Sequence, residues 1–303
     1  MKKQRLEVNI RPATQQDTTA MLELTGHIWG GHDYVPEVWH MWLDDPYGRL
    51  VVAESQGRMA AIGRLARLSP DEWWLQGLRV HPDFEGRGVA SQIHDYLVDE
   101  WQGLGGTLRL STGSDRLPVQ HLCERTGFSK VGEFSFFTAP AILAGDSPLG
   151  DFSPMSLEDT ARGLECIRNS PTFSLQLGLW ELGWEWMRPS QDLLAEAVQR
   201  GLVFWWRNRD GLLVCRIDEE EDMPGPYIQH LACHLEDIST CLEDFRRLAS
   251  RLGYGYAGWV APLQPLLLDA LAQAGFERSW DGSIFLYAQE QTPQGLSQRQ
   301  IEV

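Results

Sequence analysis

The stretch "EWWLQGLRVHPDFEGRGVASQI", Glu72–Ile93, constrains the fold more than any other part of the sequence. Its first nine residues alternate as a strand does, with Leu75, Gly77 and Arg79 on one face and Trp74, Gln76, Leu78 and Val80 on the other. From Val89 the period changes, and Val89, Ile93, Leu97 and Trp101 fall four apart on one helical stripe. Between the two lie His81-Pro82 and the glycines Gly86 and Gly88. A strand that turns through glycine into an amphipathic helix belongs to a layered fold of mixed α and β elements. The turn has two readings. It is a tight strand-to-helix connection that needs positive φ, or it is an anion cradle in which the free N–H groups and dipole of the helix start face a ligand.

The remaining sequence extends this unit on both sides. "LEVNIRPATQQD" starts as a strand and breaks at Pro12, after which Thr14 or Asp17 can cap a helix. "RLVVAESQGRMAAIGRLARL" reads as two strands about Gln56-Gly57. After the helix come the strand "TLRLST", the short helix "LPVQHLCERTGF", and "SKVGEFSFFTA", read as a hairpin. The second half repeats this order: strand–turn–strand in "GLVFWWRNRDGLLVCRI", strand in "YIQHLACH", helix in "DISTCLEDFRRLASRLG", strand in "YGYAGWVA", then helix and hairpin. A repeat this long predicts two copies of one domain. The expected divisions are a first domain over 1–140, a linker over 141–156 rich in Gly, Pro and Ser, a second domain over 157–289, and a polar tail over 290–303.

Bulk properties exclude several classes. The net charge is −16, a field that repels nucleic acid and anionic membranes and steers cationic ligands inward. The five cysteines form no CxxC pair, which argues against a disulfide framework and a zinc knuckle, and no metal is expected. The N-terminal stretch lacks the apolar core of a signal peptide, and no apolar run approaches the ~18–20 residues of a membrane span. A cytoplasmic protein without membrane or nucleic-acid partners is expected. Its oligomeric state is left open.

The order strand, "VHPDFEGRGVA", helix, strand, helix, Gly-Phe, with "IRPAT" ahead of it and "ERTGF" behind, resembles the GNAT family of acetyl-CoA-dependent N-acetyltransferases. The resemblance is close over about residues 8–138 and only a degenerate copy over about 155–288. It implies an α+β fold of two tandem domains, each a mixed twisted sheet flanked by helices, with acetyl-CoA as cosubstrate. It further implies that the main chain of Gly86, Arg87, Gly88, Val89 and Ala90 holds the pyrophosphate, and that the backbone of Leu78 and Val80 pairs with the pantetheine arm as an added strand. Glu85 departs from the family, which usually has a basic or amide side chain there. The second copy has "LACHLEDISTCL" at the equivalent place, with no glycine and with Glu236 and Asp237 where diphosphate would lie.

The implied chemistry is acetyl transfer to an amine, which needs a base, donors for an oxyanion, and a proton for the departing thiolate. The family's usual glutamate position holds Gln76, which is no base, and its usual tyrosine position holds Cys123. Cys123 either protonates the thiolate or is a small buried apolar residue. His81 either relays protons or is simply exposed on its loop. "GGHDYVPEVW" resembles a GNAT subgroup that includes vertebrate histidine N-acetyltransferase. That likeness implies an acceptor pocket with Asp33 facing an ammonium and Tyr34 or Trp42 as a wall. Asp33 reads equally as a helix cap. The expected function is N-acetylation of a small-molecule amine, an amino acid among the candidates. The alternative is a non-catalytic acyl-CoA-binding module on the same scaffold.

Overall fold

The structure, a computed structural model, describes residues 4–143, 151–219 and 223–291. Residues 144–150 of the expected linker and 292–303 of the polar tail lie outside the described residues, and the described part of the linker includes a strand over Phe152–Pro154. The chain folds as two compact units. The first comprises Met1–Leu110, Arg116–Lys130 and the C-terminal stretch from Tyr287; the second comprises Ser111–Asp115 and Val131–Leu286.

The division therefore does not fall at residue 140. The first unit takes up the end of the chain, and the second takes up almost all of the strand that follows "ERTGF". That strand is also one continuous element, not a hairpin. Gly132, the apparent turn residue, serves close packing instead: a Cβ there would stand 2.5 Å from the Leu177 side chain and 2.9 Å from Phe134.

In the first unit the order is β1 (Asn9–Pro12), α1 (Thr18–Thr25), α2 (Val35–Asp44), β2 (Arg49–Ser55), β3 (Arg58–Ser69), β4 (Glu72–Val80), α3 (Val89–Gln102), β5 (Gly106–Gly113) and α4 (Leu117–Arg125). β1 through β4 pair antiparallel in sequence order, and β4 pairs parallel with β5. Gln56 and Gly57, both at positive φ, make the β2–β3 turn. Asp17 closes its own capping box on Thr14 and takes two hydrogen bonds from Arg11, which also reaches Glu54 on β2, so β1 and α1 start from one ionic knot. Met21, Val35, Trp39, Trp42, Leu50, Val52 and Ile62 form the core under α1 and α2. α3 lies against β3 at Gly63, where a Cβ would come within 2.7 Å of Ile93.

In the second unit β6 (Ser129–Pro140) is followed by β7 (Phe152–Pro154), α5 (Thr160–Asn169), α6 (Thr172–Leu175), β8 (Trp180–Glu181), β9 (Trp186–Met187), α7 (Gln191–Gln199), β10 (Val203–Trp206), β11 (Gly211–Asp218), β12 (Gly225–Ala232), α8 (Ile238–Arg251), β13 (Tyr256–Pro262), α9 (Pro265–Gln273), β14 (Glu277–Arg278) and the start of β15 (Ile284–Gln291), whose residues from Tyr287 belong to the first unit. β7, β10, β11 and β12 run as an antiparallel series, β12 pairs parallel with β13, and β13 pairs antiparallel with β6. The core clusters on α8 and α9 around Phe245, Leu248, Trp259 and Leu271. Both units thus share a pattern: antiparallel strands lead to an irregular strand, which makes a brief parallel contact with the next. No helix among the described residues is long and apolar enough to cross a membrane.

Candidate active site

The site of the first unit begins where β4 and β5 part. Their parallel ladder spans only Glu72↔Thr107 to Trp74↔Arg109. A buried ion pair at 2.6 Å between Glu72 and Arg109 pins the closed end. Beyond it β4 bulges: Arg64 stands opposite Gln76 and Ile62 opposite Arg79, so Gly77 and Leu78 share one partner position on β3. Gly77 is required twice over. Its φ is +66°, and a Cβ would lie 2.7 Å from the Trp42 ring. The bulge bends β4 so that Leu78–Val80 pass where β5 has already turned away. An extended amide-bearing ligand can add there as a strand.

β4 then delivers the chain through His81–Phe84 to the turn. Gly86 and Gly88 have φ of +72° and +78°, and Gly88 is the N-cap of α3. The tight-turn and anion-cradle readings are therefore compatible, since the conformation that needs glycine is also the one that bares the N–H groups. The first turn of α3 carries no acidic side chain, and Glu85 is exposed. The N-terminal segment supports the turn from behind. Leu6 N–H donates to Arg87 O at 3.0 Å, and Gln92 Nε2 donates to Leu6 O at 2.7 Å. The stem of Arg5 lies 3.5 Å from where a Cβ on Gly88 would stand, which puts a second cation beside Arg87 at this turn.

The candidate catalytic groups fare differently. Cys123 is fully buried, and burial pushes its thiol up to about 12. It is the small apolar residue of the two readings offered for it. His81 is buried rather than exposed, and its Nδ1 accepts a hydrogen bond from Asp83 N–H at 3.2 Å, so that nitrogen caps a turn. Its ring lies edge-on to His27, 5.1 Å between centroids. Gln76 is half-buried on the bulge. The carboxylate on β4, Glu72, is buried in its ion pair with Arg109.

The acceptor loop departs most from expectation. Asp33 does not present a free carboxylate: Oδ2 takes Arg79 Nε–H at 2.8 Å, Oδ1 takes Arg79 Nη2 at 3.1 Å, and Oδ1 also accepts from Val35 N–H at 3.2 Å. It closes a turn onto the first residue of α2, whose N-cap is Tyr34, and it is the partner of an arginine that sequence reasoning passed over. Trp42 is buried against Gly77, with the Arg64 guanidinium 5.0 Å over its ring, and belongs to the core instead of forming a pocket wall. Tyr34 is 40% exposed and edge-on to Trp42. Trp29, Gly30 and Gly31 all have positive φ, and this left-handed run lays Trp29 on Arg79. An arginine in the apolar second half of β4, between Leu78 and Val80, was the signal available in the sequence.

The equivalent edge in the second unit is occupied. Aligning "LQGLRVH" with "IQHLACH" sets Leu231 at the place of Leu78. Gln176 Nε2 donates to Leu231 O at 2.7 Å, and Gln176 Oε1 accepts from Leu231 N–H at 3.1 Å. Thr172 Oγ1 adds a bond to Leu231 O at 2.6 Å. A side-chain amide of the chain itself thus makes the strand-like pair that an amide-bearing ligand would make.

The family model "Acetyltransferase (GNAT) family" matches residues 17–128. The human "Probable N-acetyltransferase 16" is 30% identical over 212 residues, covering 64% of this chain and 57% of that protein. A "Histidine N-acetyltransferase" of Oreochromis niloticus is 33% identical over 82 residues, 27% of this chain and 24% of that protein. The chain thus spans little more than half the length of the first relative and a quarter of the second. A crystal structure of a GCN5-related N-acetyltransferase from Sphaerobacter thermophilus superposes with a TM-score of 0.62 at 13% identity, covering 95% of this chain and 97% of that one. The bulged strand, the paired glycines and the helix start lie in the matched segment, and the likeness to an "N-alpha-acetyltransferase RimI" of Mycobacterium tuberculosis, 30% identical over 129 residues, 41% of this chain and 80% of that protein, makes the chain a member of the GNAT family of acetyltransferases.

Proposed function

We propose that the chain moves an acetyl group from acetyl-CoA to the amine of a small molecule, using its first unit alone. The observation that carries this reading is the stretch of β4 at Leu78–Val80, past the end of its ladder with β5, leading into two left-handed glycines at the start of α3. The N–H groups of Gly86 to Ala90 would hold the diphosphate, with Arg87 and Arg5 adding positive charge. The edge of β4 would hold the arm and set the thioester carbonyl against backbone donors. The amine attacks the carbonyl carbon, the C–S bond breaks, and the amine's proton leaves through water, since no side chain at the site serves as an evident base. The thiolate of CoA is a tolerable leaving group near neutral pH, so no acid is required of Cys123. The second unit is read as a degenerate copy that binds no acyl-CoA, because Gln176 fills its strand edge and its turn carries Glu236 and Asp237 in place of glycines.

A second reading, a binding module that holds acyl-CoA without transfer, is favoured by two observations: an amide at Gln76 and a fully buried thiol at Cys123. Thiol release from acetyl-CoA, measured against a panel of free amino acids and polyamines, separates the two. Release that depends on an acceptor supports transfer. Tight acetyl-CoA binding with no acceptor-dependent release supports the module.

A further inference from the structure

The Arg79 guanidinium is held more tightly than an ion pair alone requires. Asp33 grips one edge in a bidentate pair, and Nη1 donates to Leu78 O at 3.2 Å. The rings of Trp29 and Tyr34 lie 4.6 and 5.3 Å from its carbon. Its side chain is 11% exposed and that of Asp33 is 1% exposed. A guanidinium has five N–H groups. Three are used here: Nε–H, one on Nη2 and one on Nη1. One N–H remains on each terminal nitrogen. Two N–H groups on a planar, oriented fork match the two oxygens of a carboxylate.

We propose that Arg79 binds the carboxylate of the acceptor, so that the acceptor class is amines bearing a carboxylate, amino acids in the first place. The inference rests on the acetyl-transfer reading for what happens to the amine. It rests on the geometry alone for the carboxylate. Position supports it: Arg79 lies between Leu78 and Val80, the residues past the end of the ladder with β5, so a carboxylate on its fork stands beside the place proposed for the thioester. Exposure supports it as well. Trp29 is 55% and Tyr34 40% exposed, so the aromatic walls that fix the arginine are themselves open to a ligand. A guanidinium fork offers donors only, which the ammonium groups of a polyamine cannot accept, whatever the attraction of the net charge of −16 for cations at a distance.

The test pairs each amino acid of the panel with its carboxamide. The wild-type protein is expected to prefer the acid in kcat/KM by roughly 10- to 100-fold, the range of a charge-assisted pair, mostly through KM. In Arg79→Gln the ratio should collapse toward one, and Arg79→Lys should restore part of it. Calorimetric titration with acetyl-CoA checks that the variants are folded. Equal use of acid and amide by the wild type, or an equal loss for both in Arg79→Gln, overturns the proposal. Should no acceptor turn over, the same pairs are titrated into CoA-saturated protein. Acid-selective binding that Arg79→Gln abolishes would retain the carboxylate site while rejecting the transfer reading. Absence of binding by every acid would reject the carboxylate site too.

Discussion

Gln176→Leu tests whether the second unit's strand edge depends on its internal occupant. Gln176 is 4% exposed, and its amide makes three hydrogen bonds: Nε2 to Leu231 O, Nε2 to Thr172 O at 3.0 Å, and Oε1 from Leu231 N–H. Leucine keeps most of the volume and loses all three. The losses are unequal. Leu231 O keeps Thr172 Oγ1, whereas Leu231 N–H is left buried with no replacement. An orphaned buried donor costs about 1–3 kcal/mol, and the bonds themselves contribute roughly 1 kcal/mol more. The sum is about 2–4 kcal/mol. With a urea m-value of about 2 kcal/mol/M for a unit of this size, the midpoint should fall by about 1–2 M. Tryptophan fluorescence, far-UV circular dichroism and acetyl-CoA titration on the same samples separate the units. The acetyl-CoA stoichiometry should stay at one per chain, because the vacated edge still lacks a glycine turn. A midpoint within about 0.3 M of wild type would refute the reasoning, since it would mean that water or a small backbone shift satisfies Leu231 N–H at almost no cost.

Three further outcomes follow from the first unit and its histidines. Gly88→Val should weaken acetyl-CoA at least about tenfold by calorimetry, and Gly88→Ala less, because φ of +78° penalises a β-branched residue most; unchanged affinity would remove the turn from the cofactor site. Cys123→Ala should keep most of the thiol-release activity, and mass spectrometry of stalled reactions should find no acetyl group on Cys123; an acetyl-cysteine would replace direct transfer with a two-step route. Acid should destabilise the fold through His94 and His230, which burial depresses to about 4 and about 3 from the usual 6.5. Since the unfolded chain binds these protons first, stability is full above pH 6.5 and declines as pH falls toward 4 and then 3, by up to about 3 kcal/mol for His94. His94→Gln should flatten the part of that decline between pH 6.5 and 4 in urea titrations, and an unchanged slope would show that His94 titrates normally.

Much of the fold was legible because its signals are local. The alternation of Glu72–Val80, the change of period at Val89 and the left-handed glycines at 57, 86, 88 and 127 are each written within a few residues. The glycine turn at the start of α3 was legible for the same reason. The acceptor loop was not, because the meaning of Asp33 depends on Arg79, 46 positions away, and on a bulge that turns β4 between them. "SKVGEFSFFTA", expected as a hairpin, is one strand, and its glycine, Gly132, serves close packing against Leu177, 45 positions away. Trp42 and Tyr34 are neighbours on one loop and helix, yet one is buried and the other 40% exposed, a difference decided by Gly77 making room for a single ring.

The membership of the last strand has a consequence for how the protein is made. Tyr287–Gln291 belongs to the first unit, where Gln289 packs at Gly127, and burial together with the nearby Cys123 thiol raises the Tyr287 hydroxyl above its ordinary value. Those residues leave the ribosome roughly 160 positions after the body of that unit, a delay of about 10–30 s at ordinary elongation rates. Until then the unit that carries the paired glycines waits one strand short, while nearly all of the second unit has already been synthesised. Of the two units, the one that begins first in the sequence is the one completed second, and nascent chains truncated before Tyr287 carry it without that stretch.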